Sequence, residues 1–154
     1  HTGFYNYKYM KSRDEMLNGI PDNDLTSGVN YRVIRYADIL LMAAEAFNEI
    51  GDTSIAIQHL NMVRNRVGLY LHQIDISQAP WNNLTTSQNS IRELIYKERR
   101  SELSCEGHRF FDLVRTGKAA DEIEGFVVGK HELFPIPQDE IDLAGGNWPQ
   151  NPGY

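Results

Sequence analysis

From Tyr36 onward the apolar positions of the chain recur with a helical period. At about 100° per residue, Tyr36, Ile39, Leu40, Ala43, Phe47 and Ile50 line one face, and Leu41, Met42 and Ala44 widen it. This pattern predicts a helix over about 36–50 that packs on more than one side. Gly51 stops it, and Asp52 or Thr53 caps the next helix. That second helix covers about 54–66, turns Ala56, Leu60, Val63 and Val67 inward, and ends at Gly68. So short a corner predicts a tight antiparallel hairpin. Ala44, Phe47, Gly51, Ala56, Leu60 and Val63 fall where a tetratricopeptide-type unit places its small and large packing residues. One such unit cannot bury both of its faces alone. Other helices of this chain, or repeats preceding it, have to cover it.

A third helix is predicted from near Ser90 to about Cys105, a break at Gly107, and a short helix from Arg109 to Arg115. In the third helix, Ile91, Ile95 and Cys105 share a stripe with Glu98 and Glu102. Two acids one turn apart then point toward the core, where unpaired they would repel and lose hydration. They require cationic partners. Elsewhere the pattern is weaker. Residues 4–10 (FYNYKYM) alternate like an edge strand, residues 31–34 form a second short extended piece, and PDNDLTSG is turn chemistry. Residues 70–89 read as a loop. Pro135 and Pro137 enforce extended backbone, and Gln138 to Leu143 suits one helical turn.

Composition narrows the class. With 154 residues, 41% hydrophobic and 23% charged, the chain suits one globular domain over 1–154. A net charge of −6 argues against nucleic acid as the main partner. No apolar run approaches the ~20 residues of a membrane span. The chain starts His1-Thr2-Gly3, without Met, as a trimmed chain would; any export signal or lipid anchor would have been lost with the trimming. The single cysteine, Cys105, permits no internal disulfide and reads as a small buried hydrophobe.

The densest chemistry lies in 98–115, where Glu98, Arg99, Glu102, Glu106, His108, Arg109, Asp112 and Arg115 cluster. A hydrolase reading would use Glu102 with Glu106, or Glu98 with Glu102, as a general acid–base pair. Such pairs flank a substrate across an open cleft, which i, i+4 acids on a buried face do not easily do. A metal reading would use His108, Asp112 and Glu106, but it lacks a second histidine and any HExxH pattern. The stronger reading is an internal ion-pair lattice. Arg35, Arg64 and Arg66 reach the acids of the third helix from the first two, and Arg99, Arg109 and Arg115 complete it. No nucleophile elbow or phosphate-binding glycine loop is present. The aromatics Tyr5, Tyr7, Tyr9, Tyr70, Trp81 and Trp148 sit in loop or edge segments. Trp81-Asn82-Asn83 combines a ring that can stack on a sugar with amides that bind hydroxyls; its plainer role is to plug the loop into the body.

Five blocks then follow in one order: RYADILLMAAEAFNEIG, LNMVRNRVGL, ERRSELSCEGHRFFDLVRTG, HELFPIPQDEID and QNPGY. Together they resemble the C-terminal region of SusD/RagB-type proteins. The resemblance implies a mainly α fold of tetratricopeptide-like helical pairs, a SusD-like α-α scaffold with loops and a few short strands. It implies a surface-exposed lipoprotein of the outer membrane. Such a protein binds a glycan nutrient, oligosaccharide or starch-like, and delivers it to a TonB-dependent, SusC-like transporter without catalysis. It implies neither cofactor nor metal, and a lipid anchor on an N-terminal part outside this chain. Ligand contacts in such proteins follow no fixed motif, so Trp81, Asn82 and Tyr70 are expectations from residue chemistry alone. Arg35, Glu98, Arg99, Glu102, Arg109 and Asp112 are expected to be structural. The alternative is a tetratricopeptide-like scaffold that grips a protein or peptide, for which polar and aromatic residues would line the inner face of the first helix.

Overall fold

The computed structural model describes residues 8–9, 31–66 and 87–154. Its helices are α1 (Tyr36–Glu49), α2 (Thr53–Arg66), α3 (Gln88–Glu102), α4 (Arg109–Arg115), α5 (Ala119–Glu122) and α6 (Gln138–Leu143). The fold is mainly α. No strand occurs among the described residues. The expected strand over 4–10 lies outside them except for Lys8 and Tyr9, which form a turn. Residues 31–34 are irregular and exposed rather than a strand. The chain divides into two compact units, His1–Cys105 and Glu106–Tyr154.

In the first unit α1 packs on both α2 and α3, and α2 on α3. The α1–α2 corner follows from local chemistry. Gly51 takes φ +90°, which lets the Asp52 N–H reach back to the Phe47 carbonyl at 2.8 Å and the Gly51 N–H to Asn48 at 3.0 Å. Asp52 Oδ1 then accepts the Ile55 N–H at 3.2 Å and starts α2. The core joins Leu40, Leu41, Ala44, Ala56, Leu60 and Ile95, with Ile57, Val63 and Ile91 beside them. Ala44 and Ala56, both fully buried, are the small residues that let the two helices close, while Phe47 stacks on His59 at 5.3 Å.

Two expectations need correction. The buried face of α1 is Ala37, Leu40, Leu41, Ala44 and Asn48, whereas Tyr36, Ile39, Met42 and Ile50 are exposed. The helix is apolar nearly all round, so periodicity alone cannot choose the inner side. Cys105 is exposed, not buried. The third helix ends at Glu102, with Leu103 taking the buried place, and Cys105 follows in a turn at φ +64°. That helix also begins two residues before Ser90, because the Ser87 hydroxyl accepts the Ser90 N–H and caps it.

In the second unit α4 packs on α5. Phe110 sits 5.5 Å from Phe111, 6.5 Å from Phe126 and 5.8 Å from Phe134. The proline-rich segment is clasped by the chain's last residues. The Gln150 amide accepts from the Ile136 N–H and donates to its carbonyl, both at 2.8 Å. Asn151 donates to the Phe134 carbonyl and the Tyr154 hydroxyl to that of Leu133. Between Pro135 and Pro137 only Ile136 can donate, so a side-chain amide can replace a neighbouring strand there.

Candidate functional site

The candidate ligand residues Trp81, Asn82 and Tyr70 lie outside the described residues. What the structure places is the charged assembly around α3. Its buried stripe is Ile91, Ile95 and Arg99, at i, i+4 and i+8, so a guanidinium occupies the stripe and Glu98 and Glu102 flank it. Arg99 Nη1 donates to Asp38 Oδ1 of α1 at 2.9 Å, with both side chains nearly closed to water.

Glu102 closes the C-terminal end of α3. Its carboxylate accepts from Arg35 Nη2 at 2.9 Å and from Arg66 Nη2 at 2.7 Å on each oxygen. Arg35 leads into α1 and Arg66 ends α2, so one carboxylate ties together three helices. Arg35 and Lys8 also donate to the Glu102 carbonyl, at 3.0 and 2.6 Å, and Lys8 to that of Ser104. These cations meet the negative end of the helix dipole and satisfy carbonyls the helix itself cannot. One turn earlier, Glu98 faces Arg64, whose Nε lies 3.4 Å from Oε2 yet makes no hydrogen bond. The contact is ionic only. Burial raises the Glu98 carboxyl above its ordinary value, the Arg64 charge opposes this, and Glu102 adds to it.

The N-terminal end of α3 is tied to the C-terminal end of α1. Gln88 Nε2 donates to the Asn48 and Glu49 carbonyls at 2.7 and 3.0 Å, and Asn48 Nδ2 donates back to the Gln88 carbonyl at 2.9 Å. Beside them Arg92 binds Glu49 through two 2.6 Å hydrogen bonds, which hold the Glu49 carboxyl below its ordinary value.

Arg109 and Asp112 belong to the second unit, where Arg109 pairs with Glu122 at 3.0 Å and Asp112 with Arg115 at 2.9 Å. The six expected structural residues therefore form separate pairs. Arg35 and Glu102 meet, while Glu98, Arg99, Arg109 and Asp112 each have a partner outside the expected set. Sequence reasoning missed Asp38, Asn48 and Gln88. Asp38 lies next to Ala37 and three residues before Leu41, on the face that the structure, not the periodicity, shows to be the inner one. The amides carried no signal.

Each acid of α3 that would serve as a proton-transfer group is held by guanidinium. Among the described residues no three His, Cys, Asp or Glu side chains gather as a metal site, and no helix is long and apolar enough to cross a membrane. The inner face of α1, where a gripped peptide would lie, is filled by α2 and α3. A hollow of 570 Å³ opens beside the hairpin, with Ile34, Tyr36, Leu40 and Met62 in its walls and Arg32 and Arg66 among its lining residues.

A helical hairpin closed by a third helix, with guanidinium-neutralised acids at the seams, defines a tetratricopeptide-like α-α scaffold. The chain belongs to the SusD family, whose model matches residues 1–132. It is similar to SusD-like protein P2 of Formosa agariphila, 34% identical over 86% of this chain and 28% of that protein. It is also similar to SusD-like protein P38 of the same organism, 38% identical over 73% of this chain and 20% of the relative. A SusD-like protein from Bacteroides fragilis NCTC 9343 has a crystal structure that aligns with a TM-score of 0.63 at 32% identity, over 81% of this chain and 26% of that one. The chain thus spans about a quarter of the length of the relatives it matches.

Proposed function

We propose that residues 1–154 act as the C-terminal region of a longer SusD-like protein that captures a glycan nutrient at the outer-membrane surface. In this reading the protein passes an oligosaccharide to a SusC-like, TonB-dependent transporter and does not transform it. A lipid anchor on the part outside this chain holds it to the membrane. Family membership supports the general role, since SusD-like proteins serve glycan binding in nutrient uptake rather than catalysis. The observation that carries the non-enzymatic part is Glu102, held by Arg35 and Arg66 and so committed to joining helices.

Trp81, Asn82 and Tyr70 are proposed ligand contacts. Their segment leaves α2 just after Arg66, which binds Glu102, and enters α3 at Gln88, which binds α1. Both stems are therefore fixed to the scaffold, which suits a binding loop on a rigid frame. The test is affinity-gel electrophoresis of the full-length protein against a glycan panel, beside Trp81→Ala. Retention of the parent and loss in the variant is expected. Unchanged retention of the variant on every retained glycan would remove Trp81 from the site. A parent that no glycan retards would sink the nutrient-capture reading.

A further inference from the structure

We infer that the hollow at the start of α1 is a subsite for an acidic sugar, a ring that carries a carboxylate or a sulfate. This rests on the glycan-capture reading above and names the class of glycan.

The hollow holds 570 Å³, within the range of small-molecule sites. Buried Leu40 and Val63 and the exposed side chains of Tyr36 and Met62 give it apolar walls. An open tyrosine ring can stack on the C–H face of a sugar while its hydroxyl bonds one of the sugar's own. Two guanidinium groups line the same hollow. Arg32 donates to the Lys8 carbonyl, and its Cζ lies 5.4 Å from the centre of the Tyr9 ring. A carbonyl and a ring face orient a cation without neutralising it, and no carboxylate meets Arg32 among the described residues. Arg66 bonds Glu102 through Nη2 alone, shares that carboxylate with Arg35, and has a side chain 58% exposed. Nε and Nη1 of Arg32 and of Arg66 are therefore left to donate.

These donors select the ligand. The planar guanidinium fork matches a carboxylate or a sulfate with paired N–H groups. Beside an apolar wall such a bond is stronger than in open water. The start of α1 adds to the same sign: no side chain caps it, and Tyr36 and Ala37 of its first turn line the hollow. The chain as a whole carries −6, so its general field repels an acidic polymer, and affinity for one requires a local positive site of this kind. A wholly apolar ligand would cover both guanidinium groups with no counter-charge, which is costly. A neutral sugar would leave them without an anion.

The test is affinity electrophoresis of the full-length protein in gels that hold polygalacturonate, dextran sulfate, or the neutral polymers dextran and xylan. Arg32→Gln runs beside the parent, with Lys97→Gln as the control, since Lys97 is an exposed cation of α3 that does not line the hollow. The expected result is retention of the parent by polygalacturonate or by dextran sulfate, which tells a carboxylate ligand from a sulfate. Arg32→Gln should bind at least ~10-fold more weakly, the loss of one charge-assisted contact, and Lys97→Gln as tightly as the parent. Tyr36→Ala, at an exposed ring, should weaken retention as well and serves if Arg32→Gln fails to fold by circular dichroism. Retention of folded Arg32→Gln and Tyr36→Ala as tight as the parent's would overturn the inference. Equal losses in Arg32→Gln and Lys97→Gln would overturn it too, by showing attraction to charge in general. Retention by neutral polymers alone defeats the acidic-sugar subsite and leaves glycan capture standing. No retention in any gel defeats glycan capture itself, and the subsite with it.

Discussion

Arg99 and Asp38 meet at 2.9 Å inside the three-helix unit, with side chains 6% and 7% exposed. They join α3 to α1. The attraction of such a pair roughly balances the cost of dehydrating it, but either charge left alone in the core is expensive.

Single substitutions at this pair should therefore be severe. Arg99→Ala or Asp38→Ala is expected to lower the unfolding free energy by about 3–5 kcal/mol. The double variant Asp38→Leu with Arg99→Met should be less destabilised than either single. Urea unfolding monitored by circular dichroism measures all three. Additive losses in a double-mutant cycle would show that the two residues do not act as a pair.

Glu102 predicts a milder result. Glu102→Gln keeps the shape but removes the charge that Arg35 and Arg66 share, and should cost about 1–3 kcal/mol. Arg66 is the more exposed partner, so Arg66→Ala should cost less than Arg35→Ala. Thermal unfolding of the three variants gives the order. A Glu102→Gln protein as stable as the parent would contradict the structural role assigned here.

The clamp between Gln88 and Asn48 can be separated from the ion pairs. Gln88→Ala leaves the Asn48 and Glu49 carbonyls without this donor and should cost about 1–2 kcal/mol, nearly independent of salt. Charge removal at Arg92 should instead give a loss that shrinks in high salt, because that pair is partly exposed. Denaturation at low and high salt distinguishes the two.

Glu98 carries the pH prediction. Its carboxyl titrates above the ordinary glutamate value of 4.5 because burial disfavours its charge. A carboxyl raised on folding binds its proton more tightly in the folded state. Its contribution to stability is therefore most favourable at acid pH and is lost as pH rises from about the unfolded value through the folded one. Glu98→Gln should remove that decline, leaving the mildly acidic part of the stability profile flatter than the parent's. Thermal unfolding between pH 4 and 7 checks this, and an unchanged profile would assign the titration to another group.

Much of the fold was legible in the residues. The α1–α2 corner was readable because Gly51 and Asp52 act through their own backbone and immediate neighbours. α4 and α6 were readable for a similar reason, since the break at Gly107 and Pro137 mark their starts locally. The stripe of α3 was read with its acids inward and Cys105 buried. The structure keeps both acids inward, with the Glu98 and Glu102 side chains 15% and 8% exposed, adds Arg99 to the stripe, and leaves Cys105 outside, because the helix ends three residues sooner. The proposed ligand residues Trp81, Asn82 and Tyr70 fall between α2 and α3, outside the described residues, in a segment whose sequence carries no periodic pattern.

Sequence by itself determined α1, α2, α4 and α6, the body of α3 though not its end, the surplus of arginine near the acids, and the ordered blocks that mark the family, but not α5. These depend on interactions within a turn or two of chain. Only the tertiary structure decided which side of α1 is inside, that Arg99 is matched by Asp38, that Glu102 joins three helices, and that Gln150 substitutes for a strand beside Ile136. Each of those depends on residues far apart in the chain meeting at hydrogen-bond distance, and no local period encodes such a meeting.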